Sequence, residues 1–284
     1  MNVVADQRDP RHSVVALCAW AGMSRQNYYA ARRLRQRRAI DEALILELVR
    51  RERQAQPRLG GRKLLYLLQA DLQEADVSVG RDRFFELLAE HDLLVPPKPG
   101  APHTTNSRHG LPVFLNLLAE REPTAPHQAW VSDLTYVRTQ EGFVFAAVIM
   151  DRFSRKIVGA HIGDTLETIG CLKALDQALG QLPANRFPIH HSDRGCQYAS
   201  HAYVECLQAR GLSISMTVEN HCYENAHAER VIGILKQEYE MDATFRTKRQ
   251  AADAFYQAVA LYNNRRPHLS LAYAVPAHIH QQAA

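Results

Sequence analysis

The chain has 284 residues, 46% of them hydrophobic, and a formal net charge of +4, which suits one large globular domain or two smaller ones. Its five cysteines form no Cys-x-x-Cys pair, which excludes a zinc site of ordinary spacing and a disulfide framework and fits a reducing, cytoplasmic setting. The unbroken apolar run Phe143–Met150 is too short to span a membrane, and a start bearing Asp6, Arg8 and Asp9 reads as no signal peptide.

Positive charge is concentrated early: residues 1–110 hold 18 Lys+Arg against 13 Asp+Glu, the remainder 16 against 17. Residues 12–36 read as two short helices around Ala-Gly-Met-Ser (21–24), with Gly22 permitting the turn and Ser24 capping the second helix. This is a helix-turn-helix pattern. Arg32, Arg33, Arg35, Arg37 and Arg38 follow, a cluster that suits double-stranded DNA and equally a solvated helix face. An amphipathic helix is predicted over 39–56, with Ile40, Leu44 and Leu48 on one stripe. Gly60-Gly61 breaks it, and two more helices follow over about 62–74 and 80–91. Four prolines within 95–103 cannot continue a helix. The predicted organisation is a helical DNA-binding region over 1–94, a linker over 95–124 and an α/β unit over 125–284.

In that unit, Val, Ile, Phe and Tyr mark strands at 129–138, 143–150 and 155–163, an antiparallel meander. A helix over 165–180, a buried strand 187–192, a helix 197–210, a short strand 213–216 and helices 224–240 and 247–263 complete it. The expected fold class is α/β: a mixed five-stranded sheet flanked by helices and preceded by an all-helical region.

Three carboxylates stand out. Asp133 lies inside an apolar strand, Asp193 ends another, and Glu229 opens a helical pattern. A carboxylate in an apolar strand costs free energy unless it is compensated, and oxygen-seeking divalent cations are the natural remedy for three together. Either they form a metal site for phosphoryl chemistry or they are three separate structural acids. Arg194, Gln197 and Tyr198 follow Asp193 with donors and an aromatic face suited to phosphate contact and base stacking. His191 reads more readily as a core histidine than as a ligand. Asn225, Glu229, Gly233 and Lys236 share one helix face, by spacing alone either a DNA-facing surface or a plain solvated one. Arg265, Arg266 and His268 suit either phosphate or the carboxyl end of a helix dipole, with a structural role favoured.

Taken in order, Asp-Leu-Thr-Tyr-Val (133–137), Asp-Arg-Phe-Ser-Arg-Lys-Ile-Val-Gly (151–159), His-Ser-Asp-Arg-Gly-Cys-Gln-Tyr (191–198), Glu-Asn-Ala-His-Ala-Glu (224–229) and Tyr-Asn-Asn-Arg-Arg-Pro-His (262–268) resemble the DDE transposase and retroviral-integrase superfamily. They are most similar to the second-reading-frame transposases of the insertion-sequence-three family. The 35 residues between Asp193 and Glu229 match that superfamily's spacing. The resemblance covers nearly the whole chain. It implies a ribonuclease-H-like fold, catalytic and metal-binding roles for Asp133, Asp193 and Glu229, and Mg2+ or Mn2+ as cofactor. It also implies cleavage at transposon ends followed by strand transfer, and terminal-DNA contact by Lys236. Arg194, Gln197, Tyr198 and Asn225 are expected to position DNA, and Arg32 and Arg33 to contact duplex phosphates. Expected partners are terminal-repeat and target DNA, further copies of the chain, and an upstream reading-frame product or frameshift fusion; no membrane is expected, and the setting is the nucleoid. The chain departs from the family with Glu224 in place of Asp, and with Asn220-His221-Cys222 in place of Gly-Asn-Cys. It has no heptad zipper.

Overall fold

Ser13 and Ser24 each cap a helix, their hydroxyls accepting from the backbone N–H of Ala16 and Asn27 at 3.1 Å. The chain therefore turns at Gly22 (φ 63°) between α1 (Val14–Trp20) and α2 (Arg25–Ala55). The computed structural model describes residues 13–96, 111–119, 121–218 and 225–282. The second of the two short helices expected within 12–36 was to be separate from the helix over 39–56; the structure has one 31-residue helix instead. Nothing from Arg37 to Ala39 can stop it, because Arg and Ala are among the best helix formers. The second half of α2 packs with α3 (Gly61–Glu74) and α4 (Arg81–Glu90) around Ile45, Val49, Leu64, Leu68, Phe84 and Leu88.

The α/β unit follows the predicted order with small shifts. β1 (Ala129–Thr139), β2 (Gly142–Asp151) and β3 (Ile157–Gly163) form the antiparallel meander. β4 (Ile189–Ser192) and β5 (Ser213–Met216) add in parallel, giving the order β3-β2-β1-β4-β5. β3 starts later than expected because Arg155 (φ 64°) is taken up in the turn. β4 starts at Ile189 because Pro188 has no N–H for a ladder. A two-residue sixth strand, β6 (Thr244–Phe245), pairs with the end of β1; it is too short to carry a period. The helix expected over 197–210 is split into α6 (Cys196–Ala199) and α7 (His201–Ala209) by Ser200, which caps α7.

Strand alternation divides the core into two layers. Val131, Val144, Ala146, Val148 and Met150 face α8 (Ala226–Glu238) and α9 (Lys248–Asn264). Trp130, Ala147, Ile149 and Val158 face α5 (Thr168–Gly180), α6 and α7. Gly159 allows the close seating of α5: a Cβ there would fall 2.1 Å from the carbonyl oxygen of Ala174. Three antiparallel strands, two parallel ones and helices on both faces make the ribonuclease-H-like architecture that the resemblance implies.

Residues 97–110, the centre of the expected linker, lie outside the described residues, as do Asn220, His221, Cys222 and Glu224. The later part of the expected linker packs on the core: Leu118 is buried, and the N–H of Leu117 donates to Ser215 Oγ at 2.8 Å.

The helical region meets the core through buried charge. Arg265 donates to both carboxylate oxygens of Glu52 at 3.0 and 2.6 Å. Arg266 forks onto Glu238 at 2.7 and 2.9 Å, and Lys63 of α3 reaches Glu238 at 2.7 Å. The Tyr239 hydroxyl donates to Gln56 Oε1 at 3.0 Å. Arg265 and Arg266 therefore have the favoured structural role, with acids as partners rather than a helix dipole. Ion pairing explains how an arginine only 2% exposed is tolerated.

Candidate active site

β1 and β4 run parallel with Ser132 opposite Ser192. Asp133, the next residue on β1, and Asp193, the first residue past the end of β4, are therefore brought side by side, with the strands about 4.8 Å apart in backbone. Asp133 Oδ1 accepts from the N–H of Leu134 at 2.8 Å, and Asp193 Oδ1 from the N–H of Gly195 at 2.9 Å. Burial pushes the Asp133 carboxyl up to about 7; Asp193 and, more weakly, Glu229 add to the rise, and Lys236 opposes it.

The third acid arrives on α8. Asn225, its N-cap residue, is 2% exposed and donates from Nδ2 to the carbonyl oxygen of Ser132 at 3.1 Å. This clasp sets the first turn of α8 against β1 beside Asp133. Glu229 stands one turn later on the same side, exposed to solvent. Among the described residues, no three His, Cys, Asp or Glu side chains converge closely enough to hold a metal ion together. The structure thus joins Asp133 with Asp193 and leaves Glu229 within electrostatic reach. The donor set fits a hard divalent cation: paired carboxylate oxygens, one pushed up to about 7 by burial and then by its acidic neighbour Asp193.

The predicted DNA contacts fare differently. Arg194 is half-buried, its Nε donating to the carbonyl oxygen of Thr217 at 2.8 Å, and Gln197 Nε2 donates to the carbonyl oxygen of Leu166 at 2.9 Å. Lys236 is half-buried with Nζ 4.7 Å from the Tyr136 ring centroid, and burial lowers its pKa. Arg32 and Arg33 are exposed on α2. Two expectations need correction. Tyr198 is 3% exposed, edge-on to Tyr203 at 5.4 Å; its ring is core and has no face open to a base. Asn225 is likewise inside, where it holds α8 to β1 rather than presenting itself to DNA.

Two polar clusters escaped the sequence reading. His190 Nε2 lies 2.6 Å from Ser132 Oγ and 2.9 Å from the Tyr203 hydroxyl. Burial pushes this imidazole down to about 3, so it is neutral and braces β1 beneath Asp133. Asp151, fully buried, accepts from the N–H groups of His127 and Ser154 and from the Ser154 hydroxyl. A fourth acid in an apolar strand is thereby satisfied without a cation. The only sequence signal for either cluster is polar residues in otherwise apolar strands.

A ribonuclease-H-like sheet carrying paired aspartates at adjoining strand positions defines the class of polynucleotidyl transferases. Residues 123–222 match the integrase core domain family, and residues 210–276 match a second integrase core domain family. The insertion element IS600 uncharacterized 31 kDa protein of Shigella sonnei is 37% identical over 276 residues, covering 94% of this chain and 100% of that protein. The transposase for insertion sequence element IS629 of Shigella sonnei is 39% identical over 142 residues, 50% of this chain and 47% of that protein. Transposase InsF for insertion sequence IS3A of Escherichia coli (strain K12) is 38% identical over 131 residues, 46% of each. The chain belongs to the integrase-core family of insertion-sequence transposases. Among solved structures, the HTLV-2 integrase catalytic core domain in complex with magnesium aligns with a TM-score of 0.45 at 17% identity, covering 56% of this chain and 99% of that one. No helix among the described residues is long and apolar enough to cross a membrane.

Proposed function

We propose that the chain cleaves the ends of an insertion sequence and joins each freed 3′-hydroxyl to a second DNA. Asp133, Asp193 and Glu229 are its catalytic acids and the residues that would hold two Mg2+ (or Mn2+) ions. The observation that carries this reading is the Ser132–Ser192 register, which sets Asp133 beside Asp193. In the transfer, the 3′-oxygen forms a bond to phosphorus as the bond to the leaving 3′-oxygen breaks, with no covalent enzyme intermediate. When bound, a metal pair supplies activation of the attacking oxygen and charge support for the leaving one.

The chain's own residues position the acids and the DNA. Asn225 sets the turn from which Glu229 projects. Lys236, braced over Tyr136, keeps a cation beside the acids for a terminal phosphate. Arg194 and Gln197 frame the loop after β4. Arg32 and Arg33 contact duplex phosphates of the terminal repeats, where such contacts dominate affinity. Two or more copies bring two ends together, in the nucleoid, with an upstream reading-frame product as a further partner.

The test is strand transfer. Purified protein is incubated with Mg2+ and a labelled, pre-cut oligonucleotide from the repeats flanking the gene, beside Asp193→Asn. Joined products that vanish in the variant are expected. Full residual joining by Asp193→Asn would overturn the site assignment, and nicking without joining would favour a nuclease that does not transpose.

A further inference from the structure

Across α8 from Glu229, cations outnumber the acids among the described residues, Asp151 and Glu122 being the acids that act on Arg155. His227 lies about 200° around the helix from Glu229, and its Nδ1 accepts from Arg155 Nη1 at 2.9 Å. Lys63 and Arg266 share the single carboxylate of Glu238, and Arg152 pairs with Glu122. Among the described residues, neither Arg155 nor Arg230 has a carboxylate ion-pair partner. His268 completes the group, its Nδ1 3.0 Å from Ser270 Oγ. The surroundings act as a positive field: burial, then Arg266, Arg155 and Lys63 push His268 down to about 3.

The backbone gives a second, independent sign. Arg155 occupies φ 64° in the turn between β2 and β3, a left-handed position that suits Gly or Asn and strains a long side chain. The turn holds this half-buried arginine where its side chain meets His227 of α8. Arg230 is exposed on α8, one turn beyond His227, and Tyr262 has both Arg155 and Arg230 among its electrostatic neighbours.

We infer that Arg155 and Arg230, framed by His227 and His268, bind a backbone phosphate of duplex DNA running from the helical region toward the catalytic acids. The ligand class is a phosphodiester, read without regard to base: guanidinium groups fork onto phosphate oxygens, and the imidazoles beside them add hydrogen bonds. This site rests on the transposase reading but shares no residue with the acids.

The test is duplex binding by the full chain, followed by fluorescence anisotropy across a salt series. Arg230→Gln and Arg155→Gln are compared with wild type on terminal-repeat and scrambled duplexes. Each should weaken binding about equally on both duplexes and make the log K against log salt slope shallower by about one. Arg155→Lys should keep most of the slope, because the charge remains. Thermal unfolding accompanies each variant; where Arg155→Gln melts early, exposed Arg230→Gln carries the test. Unchanged affinity and slope in Arg230→Gln, with wild type still binding and joining ends, would overturn this site and leave the transposase reading standing. Wild type that neither binds nor joins duplex would overturn both.

Discussion

Asn225 donates from Nδ2 to the carbonyl oxygen of Ser132 at 3.1 Å, one peptide before Asp133. A buried side-chain clasp thus ties the start of the helix that bears Glu229 to the strand that bears Asp133. Asn225→Ala should lower stability by about 1–3 kcal/mol, the usual effect of leaving a buried partner unsatisfied. It should also slow end cleavage at temperatures where the variant is fully folded, while duplex affinity holds. Thermal unfolding, cleavage rates and anisotropy together check this; unchanged cleavage in a folded variant would refute the positioning role.

Asp133 links pH to stability and, in the proposed site, to metal. Its carboxyl titrates at about 7 in the fold against an ordinary 3.8. Between those values the folded chain holds a proton that the unfolded chain has released, so this group's contribution to stability falls as pH rises through that window. Asp133→Asn should therefore raise the Tm of metal-free protein at pH 8 and change it little near pH 4. Mg2+ should raise the wild-type Tm by mass action and do far less for Asp133→Asn. Chelation should abolish cleavage in wild type. Differential scanning calorimetry with and without Mg2+ is the measurement.

Arg266 holds the helical region to the core. It is 2% exposed and forks onto Glu238, which Lys63 also reaches. Arg266→Met leaves a buried carboxylate with one cation, and breaking a buried pair in this way costs about 3–5 kcal/mol. Urea unfolding should show that loss, and small-angle scattering should show a larger radius of gyration as the helical region loosens.

Acid should destabilise the protein through histidines buried in neutral form. Burial holds His190 and His268 at about 3 and His280 at about 4, against an ordinary 6.5. Below 6.5 the unfolded chain takes protons that the folded chain refuses, so their stabilising contribution is present above that pH and lost as pH falls toward 4. Asp133 runs in the opposite sense but is one group against three. The Tm should drop between pH 7 and pH 5, and His280→Asn should flatten the drop. A Tm independent of pH across that range would contradict it.

The sequence by itself determined the acids, their chain order and the strand and helix types, because motif strings and periods of 2 and 3.6 residues are local properties. Asp133, Asp193 and Glu229 could be named from their apolar or helical settings and the 35 residues between the last two. Only the tertiary structure decided what those residues meet. It put Ser132 opposite Ser192, turned Tyr198 into the core and Asn225 onto β1, and gave Arg265 a partner 213 residues away in Glu52. It also fused two expected helices into α2 and added β6. Strand register, burial and ion-pair partners depend on which distant segments close together, and neither composition nor spacing along the chain encodes that.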